Sequence, residues 1–90
     1  MTKLSTRQSE VEKLEGFKIN IFDGKGAIAD PSTQGIPDYD FKRKLAGSDT
    51  VVGFRNRFES AYPGYTCEVL DGTGAVAHGN TQLKTVRKTY

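Results

Sequence analysis

The chain contains the stretch Gly16-Phe-Lys-Ile-Asn-Ile-Phe-Asp-Gly-Lys-Gly-Ala-Ile-Ala29 and repeats it in diverged form 48 residues later as Gly64-Tyr-Thr-Cys-Glu-Val-Leu-Asp-Gly-Thr-Gly-Ala-Val-Ala77. Extending the comparison to residues 16–34 and 64–82 gives 19 aligned positions, of which eight are identical and four more exchange similar side chains. We therefore expect both segments to adopt the same local conformation. The repetition indicates a repeated shape, and it does not indicate any chemistry.

Each copy begins with a segment in which every second residue is apolar. These apolar residues are Phe17, Ile19, Ile21, Tyr65, Cys67 and Val69. A period of two is typical of a half-buried strand. The Asp-Gly-x-Gly that follows is typical of a hairpin turn, because the carboxylate can accept nearby backbone N–H groups and glycine tolerates positive φ. With the short returning limbs at 27–29 and 75–77, the pattern predicts two β-hairpins that join in a four-stranded antiparallel sheet.

The glycine-rich turns can also be interpreted as phosphate cradles. Asp23 and Asp71 would repel an anion at these turns, and neither turn has the Gly-x-x-x-x-Gly-Lys spacing of a phosphate-binding loop. The hairpin interpretation is therefore preferred.

A calcium site is a second alternative, suggested by the carboxylates of Asp30, Asp38 and Asp40. Their spacing lacks the alternating acidic positions and the terminal glutamate of an EF-hand loop. The single cysteine and single histidine, Cys67 and His78, are too few for a structural zinc site within one chain. We predict no metal and no cofactor.

Residues 49–62 carry the pattern of an amphipathic helix. Ser48 is a suitable N-cap, Asp49 places negative charge in the first turn, and Pro63-Gly64 ends the pattern. The apolar positions are Val51, Phe54, Phe58, Ala61 and Tyr62. They fall within about 100° of a helical wheel, so this helix is expected to cover the sheet.

A shorter helix is predicted over residues 6–14 at the N-terminal end. Two capping-box patterns support it, Ser5-Thr-Arg-Gln8 and Ser9-Glu-Val-Glu12, and Gly16 ends it. Because it has few apolar residues, we expect residues 1–8 to be at most loosely ordered.

A second short helix is predicted from Asp38 to Gly47. The carboxylates of Asp38 and Asp40 precede Lys42 and Lys44 by four residues each, an arrangement that stabilises helices, and Gly47 is a natural stop. A third helix is predicted over 80–90.

That third, C-terminal helix has Asn80 as its N-cap and apolar residues at helical spacing. These are Leu83, Val86 and Tyr90. With it, the fold class is α+β: one domain over residues 1–90, with a central helix on a four-stranded sheet and shorter flanking helices.

The basic residues are concentrated in the second part of the chain. The net charge is only +2, but residues 41–90 carry eight Lys and Arg against four Asp and Glu. The candidate binding residues are Lys84, Arg87, Lys88, Lys42, Arg43 and Arg55. Ordinary solvated surface is the preferred explanation of such an excess, and the dipole of the helix is the preferred explanation of the cations near its C-terminus.

No catalytic arrangement is evident. His78, the only histidine, has no obvious catalytic partner, and Cys67 alternates with apolar residues as a buried core thiol would. One cysteine excludes an internal disulfide, and the sequence has neither a signal-like apolar run nor the roughly 20 apolar residues of a membrane span. We expect a cytoplasmic protein that is not an enzyme.

Two functions remain after these exclusions. The first hypothesis is a small protein-interaction module with a charged surface. The alternative is nucleic-acid binding through the basic second half. Two helices joined near Gly47 would have the order of a helix-turn-helix, but Arg43 occupies a position where that motif usually has a small residue.

Overall fold

The computed structural model describes residues 2–39 and 41–90. Its helices and strands follow the order α1 (Leu4–Glu15), β1 (Lys18–Phe22), α2 (Val51–Ala61), β2 (Thr66–Leu70) and α3 (Leu83–Arg87). β1 and β2 pair antiparallel as a two-stranded sheet. The small α+β class is as predicted, but the prediction of a four-stranded sheet is wrong.

The missing strands are the returning limbs of the two hairpins. In the first turn the N–H of Asp23 donates to the carbonyl of Ala27 at 2.8 Å, and that of Ala29 donates to Ile21 at 3.0 Å. Each limb then forms a single bridge, Phe22 with Ile28 and Leu70 with Val76. The limbs are too short for a ladder, because the chain turns away at once.

The second turn repeats the hydrogen bonds of the first. The N–H of Asp71 donates to Ala75 at 2.9 Å, and that of Ala77 donates to Val69 at 2.8 Å. The carboxylate oxygen Oδ1 of Asp71 accepts the N–H of Thr73 at 2.9 Å. Asp23 accepts the N–H of Lys25 in the same way at 2.8 Å. The shared sequence thus produces the shared turn that was predicted.

The two strands pair about an approximate twofold axis. Asn20 lies opposite Glu68, and these two residues occupy the same position of the repeated stretch. Lys18 lies opposite Leu70, and Phe22 lies opposite Thr66. In the repeat Lys18 corresponds to Thr66 and Phe22 to Leu70, so the second pair is the first with the two strands exchanged. A contact in which i meets j and j meets i is the mark of a twofold interface. Here it joins two parts of one chain.

The helices belong to the repeat as well, with a spacing of 47 residues in place of 48. The buried positions of α1 are Leu4, Val11 and Glu15. Their counterparts in the second copy, Val51, Phe58 and Tyr62, are also buried. The one-residue difference lies between the helix and the strand, where Pro63 has no counterpart. Each half is therefore a helix, a strand, a turn and a loop.

In each half, that loop returns to the N-terminus of its own helix. The N–H of Leu4 donates to the carbonyl of Thr33 at 2.8 Å. In the second half, the N–H of Val51 donates to Thr81 at 3.0 Å. These bonds satisfy N–H groups that a helix leaves without an internal partner.

The predicted central helix is confirmed, although its cap is not Ser48. The hydroxyl of Thr50 accepts the N–H of Gly53 at 3.3 Å, and α2 begins one residue later. Phe54 and Phe58 are fully buried, and the ring of Phe54 meets that of Phe17 edge-on at 4.9 Å. This helix covers the inner face of the sheet as expected.

The helix predicted from residues 38 to 47 is wrong, since the described part of this segment is irregular. The carboxylate of Asp38 pairs with Arg7 at 2.7 Å, so it does not support a helix through Lys42. Asp40, which was to pair with Lys44, lies outside the described residues. Without this helix the order of a helix-turn-helix is also absent from the described chain.

The terminal helices differ from their predictions in length. α1 begins at Leu4, two residues early, because Leu4 is buried in the core. α3 spans five residues with Gln82 in place of Asn80 at its cap. Tyr90 lies beyond α3, and its hydroxyl accepts the N–H of Lys18 at 2.7 Å. No helix in the described ranges is long and apolar enough to cross a membrane.

Candidate functional site

A fully buried carboxylate organises the irregular segment between the two halves. Glu15, the last residue of α1, has no exposed surface. Its Oε2 accepts the hydroxyl of Tyr39 at 2.6 Å, and its Oε1 accepts the N–H of Leu45 at 3.0 Å. Burial and this hydrogen bond raise the pKa of Tyr39 above its ordinary value. Glu15 thus fixes two points of this segment, Tyr39 and Leu45, to the end of α1.

Two arginines face the same carboxylate. Nη1 of Arg57 lies 3.7 Å from Oε2 of Glu15, and Nη2 of Arg87 lies 3.5 Å from Oε1. Nε of Arg87 also donates to the backbone carbonyl of Glu15 at 2.7 Å. A buried carboxylate needs such partners, because an unpaired charge in the interior is costly.

Arg57 connects this buried cluster to the surface. Its guanidinium carbon lies 3.9 Å from the ring centre of Phe41, which is a cation–π contact. Its Nη2 donates to the carbonyl of Arg43 at 2.5 Å. Held by an aromatic ring, a carbonyl and a carboxylate, the guanidinium has a fixed position before any ligand arrives.

An open groove of about 730 Å³ lies over Arg57. Its lining, called the basic groove below, consists of Phe41, Lys42, Arg43, Lys44, Leu45, Ala46, Arg57 and Ser60. Four of these side chains are cationic, and no described carboxylate is among them. Phe41, Leu45 and Ala46 add apolar surface. The basic groove is thus suited to a ligand that combines negative charge with apolar groups.

The structure separates the six basic residues that the sequence suggested. Lys42 and Arg43 line the basic groove, while Lys84 and Lys88 are exposed on and just after α3. Arg87 and Arg55 are only partly exposed. Arg87 faces Glu15, as described above, and is therefore part of the interior network.

Arg55 lies apart from the groove on the other side of α2. Burial raises the pKa of the Cys67 thiol to about 12, and the nearby positive charge of Arg55 opposes that rise. Cys67 is 1% exposed, so the prediction of a core thiol is confirmed. Arg55 does not join the basic groove.

The sequence missed two groove residues, Arg57 and Lys44. Arg57 lies on the opposite flank of α2 from Arg55, so the helix carries no single row of cations that would mark it in the sequence. The chain between the halves approaches the Arg57 flank, and only the fold shows this. Lys44 was counted as neutralised by a carboxylate within a helix that does not form.

His78 serves a turn. Its Nδ1 accepts the N–H of Asn80 at 3.1 Å. At the equivalent place in the first half, Asp30 accepts the N–H of Ser32 at 2.9 Å. His78 therefore substitutes for a turn-forming carboxylate.

The comparisons with known proteins place the chain beside no relative. It matches no protein-family model, and no curated protein or solved structure shows significant similarity to it. The described residues also contain no group of three or more His, Cys, Asp or Glu side chains arranged to hold a metal ion. Among the described residues, the basic groove is the feature from which a function can be inferred.

Proposed function

We propose that this chain is a small non-enzymatic protein-interaction module whose basic groove binds an acidic segment of a partner protein. The observation that supports this most directly is the composition of the groove: four cations beside apolar side chains, with no described carboxylate in the lining. Electrostatic complementarity of this kind selects partners and steers their approach.

Arg57 gives the groove a fixed shape, which also supports the proposal. Its contacts with Phe41 and with the carbonyl of Arg43 hold the guanidinium before binding. Because both of its terminal nitrogens are engaged, with Glu15 and with the carbonyl of Arg43, Arg57 fixes the wall of the groove. The exposed side chains of Lys42, Arg43 and Lys44 are left to meet the carboxylates of a partner.

Nucleic acid is the second candidate, and one contact favours it. The N–H of Lys84 donates to the carbonyl of Gly47 at 3.1 Å, so α3 lies against the end of the groove segment. The exposed Lys84 and Lys88 could thus extend the row of cations for a phosphate backbone.

Two features make nucleic acid the weaker candidate. Arg57 covers one face of the Phe41 ring and Tyr39 also contacts it, which leaves little of this ring to stack on a base. α3 has five residues and offers little length for reading a groove of duplex DNA.

A binding titration tests the proposal. A labelled peptide of alternating Glu and Leu should bind the intact chain and weaken with salt. Arg43→Glu and Lys44→Glu should each weaken it about tenfold, since removing or reversing a charge in a complementary interface commonly costs that much. Lys25→Glu, an equal charge change in the first hairpin turn, is the matched control.

Labelled single-stranded and duplex DNA and RNA are titrated in parallel. Salt-sensitive nucleic-acid binding that depends on Lys84 and Lys88, without peptide binding, would replace the proposal with the second candidate. No binding of any of these probes would refute both.

A further inference from the structure

The sheet has a second face that none of the helices in the described part of the chain covers. Alternate residues of β1 and β2, such as Ile19 and Val69, are buried against the helices. The remaining residues point the other way. These residues, called the outer face, are Lys18, Asn20, Phe22, Thr66, Glu68 and Leu70.

Apolar side chains continue the outer face on both sides. Ile28 is 67% exposed and bridges to Phe22, while Val76 is 57% exposed and bridges to Leu70. Bridged residues of an antiparallel pair share a face of the sheet. Ile28 and Val76 are equivalent in the repeat, as are Phe22 and Leu70. The approximate twofold axis therefore relates one apolar pair to the other.

The strand geometry places these pairs at opposite corners. With strands about 4.8 Å apart and about 6.7 Å between alternate residues, Ile28 and Val76 are about 20 Å apart along a diagonal. Phe22 and Leu70 lie between them near the diagonal. The outer face has one charge of each sign, Lys18 to one side of the diagonal and Glu68 close to the centre.

We propose that the outer face is a self-association surface whose partner is a second copy of this chain. In this dimer the second copy is rotated by half a turn about the line from Ile28 to Val76, so that the two outer faces meet and these lines coincide. The rotation brings Glu68 of the second copy toward Lys18 of the first. The same contact forms reciprocally, as a twofold dimer requires. The strands of the two sheets then cross at a steep angle, which is a known packing of β-sheets.

The size of the surface sets the strength of the dimer. The outer face with its two limbs covers roughly 20 Å by 17 Å, well below the roughly 800 Å² per partner of a standard stable interface. The dimer is therefore weak and depends on concentration. This inference is independent of the basic groove, which lies elsewhere on the chain.

Sedimentation velocity of the full chain over micromolar to millimolar concentrations tests the proposal. The intact chain should shift from monomer to dimer. Ile28→Glu and Val76→Glu should each raise the dimer dissociation constant about tenfold or more, because each puts a charge in the apolar contact. Val52→Glu, at an exposed apolar position of α2, is the matched control and should leave dimerisation unchanged.

A charge exchange gives a second readout that does not depend on the apolar variants folding. Lys18→Glu should weaken the dimer, and combining it with Glu68→Lys should restore it. A chain that stays monomeric at every concentration would overturn the proposal. So would a dimer that neither the apolar variants nor the charge exchange affects.

Discussion

Asn20 and Glu68 occupy the same position in the two copies of the repeat and meet each other across the sheet. Nδ2 of Asn20 donates to Oε1 of Glu68 at 2.9 Å. Their register makes β1 and β2 partners related by an approximate twofold axis. The interface between the halves is thus built like the interface of a symmetric dimer, but within one chain.

The equivalence of these two positions predicts the effect of exchanging them. Asn20→Glu alone places two carboxylates opposite each other and should lower the free energy of unfolding by about 0.5–1 kcal/mol. The double variant Asn20→Glu with Glu68→Asn restores one amide and one carboxylate, so it should recover most of that loss. Urea unfolding of the three proteins measures this. An exchanged pair no more stable than the single variant would argue against the axis.

Glu15 should be the most sensitive carboxylate in the chain. Glu15→Ala leaves Arg57 and Arg87 facing each other without a counter-charge and removes the acceptor for Tyr39. Breaking a buried pair in this way typically costs about 3–5 kcal/mol. Thermal unfolding should show a much lower melting temperature for Glu15→Ala. Glu10→Ala, at an exposed pair with Arg7, should lower the free energy of unfolding by less than about 1 kcal/mol. Equal losses would mean that Glu15 is not the anchor of the segment.

Gly72 and Gly24 are equivalent in the repeat but should respond differently to alanine. A Cβ on Gly72 would lie 1.8 Å from the carbonyl oxygen of Thr89, whereas one on Gly24 would lie 3.2 Å from the carbonyl of Gly64. Gly72→Ala must displace the C-terminal backbone and should cost about 1–3 kcal/mol. Gly24→Ala should cost less, and calorimetry of the two variants compares them directly. Equal melting temperatures would contradict the close packing at Gly72.

The turn of the second hairpin should contribute stability that is lost in acid. Hydrogen bonds from the hydroxyl and N–H of Thr73 lower the pKa of Asp71 below its ordinary value. A carboxyl group whose folded pKa is depressed stabilises the fold above its unfolded pKa, and this stabilisation is lost as the pH falls through the folded pKa. Thr73→Val should therefore raise the pKa of Asp71 in an NMR titration. Ser32→Ala, which acts on Asp30 in the other half, should leave it unchanged.

The interactions that the sequence predicted well are those between close neighbours. The Asp-Gly-x-Gly turns formed as expected, because Asp23 and Asp71 bond backbone groups within four residues of themselves. The central helix was also predictable, since its apolar stripe depends on helical periodicity alone. The predicted helix from 38 to 47 failed because its proposed ion pairs are weak, and Asp38 bonds the distant Arg7 instead.

The candidate site could be predicted only in part. Lys42 and Arg43 were named from the charge pattern, but nothing in that pattern placed Arg57 beside them. The register of the sheet, and with it the outer face, could not be predicted either, because a hairpin pattern does not determine which strand pairs with which.

By itself, the sequence determined a repeated turn, an amphipathic central helix and an α+β class, all of which depend on the order of residues along short segments. The tertiary structure alone decided that β1 pairs with β2 and that Glu15 is an anchor for residues as distant as Arg87. The hydrogen bond from Arg87 to Glu15 spans 72 positions of the chain. Contacts between residues so far apart in the sequence form only when the core is folded. An unpaired charge is costly in that core, so the folded state brings partners from distant segments to Glu15.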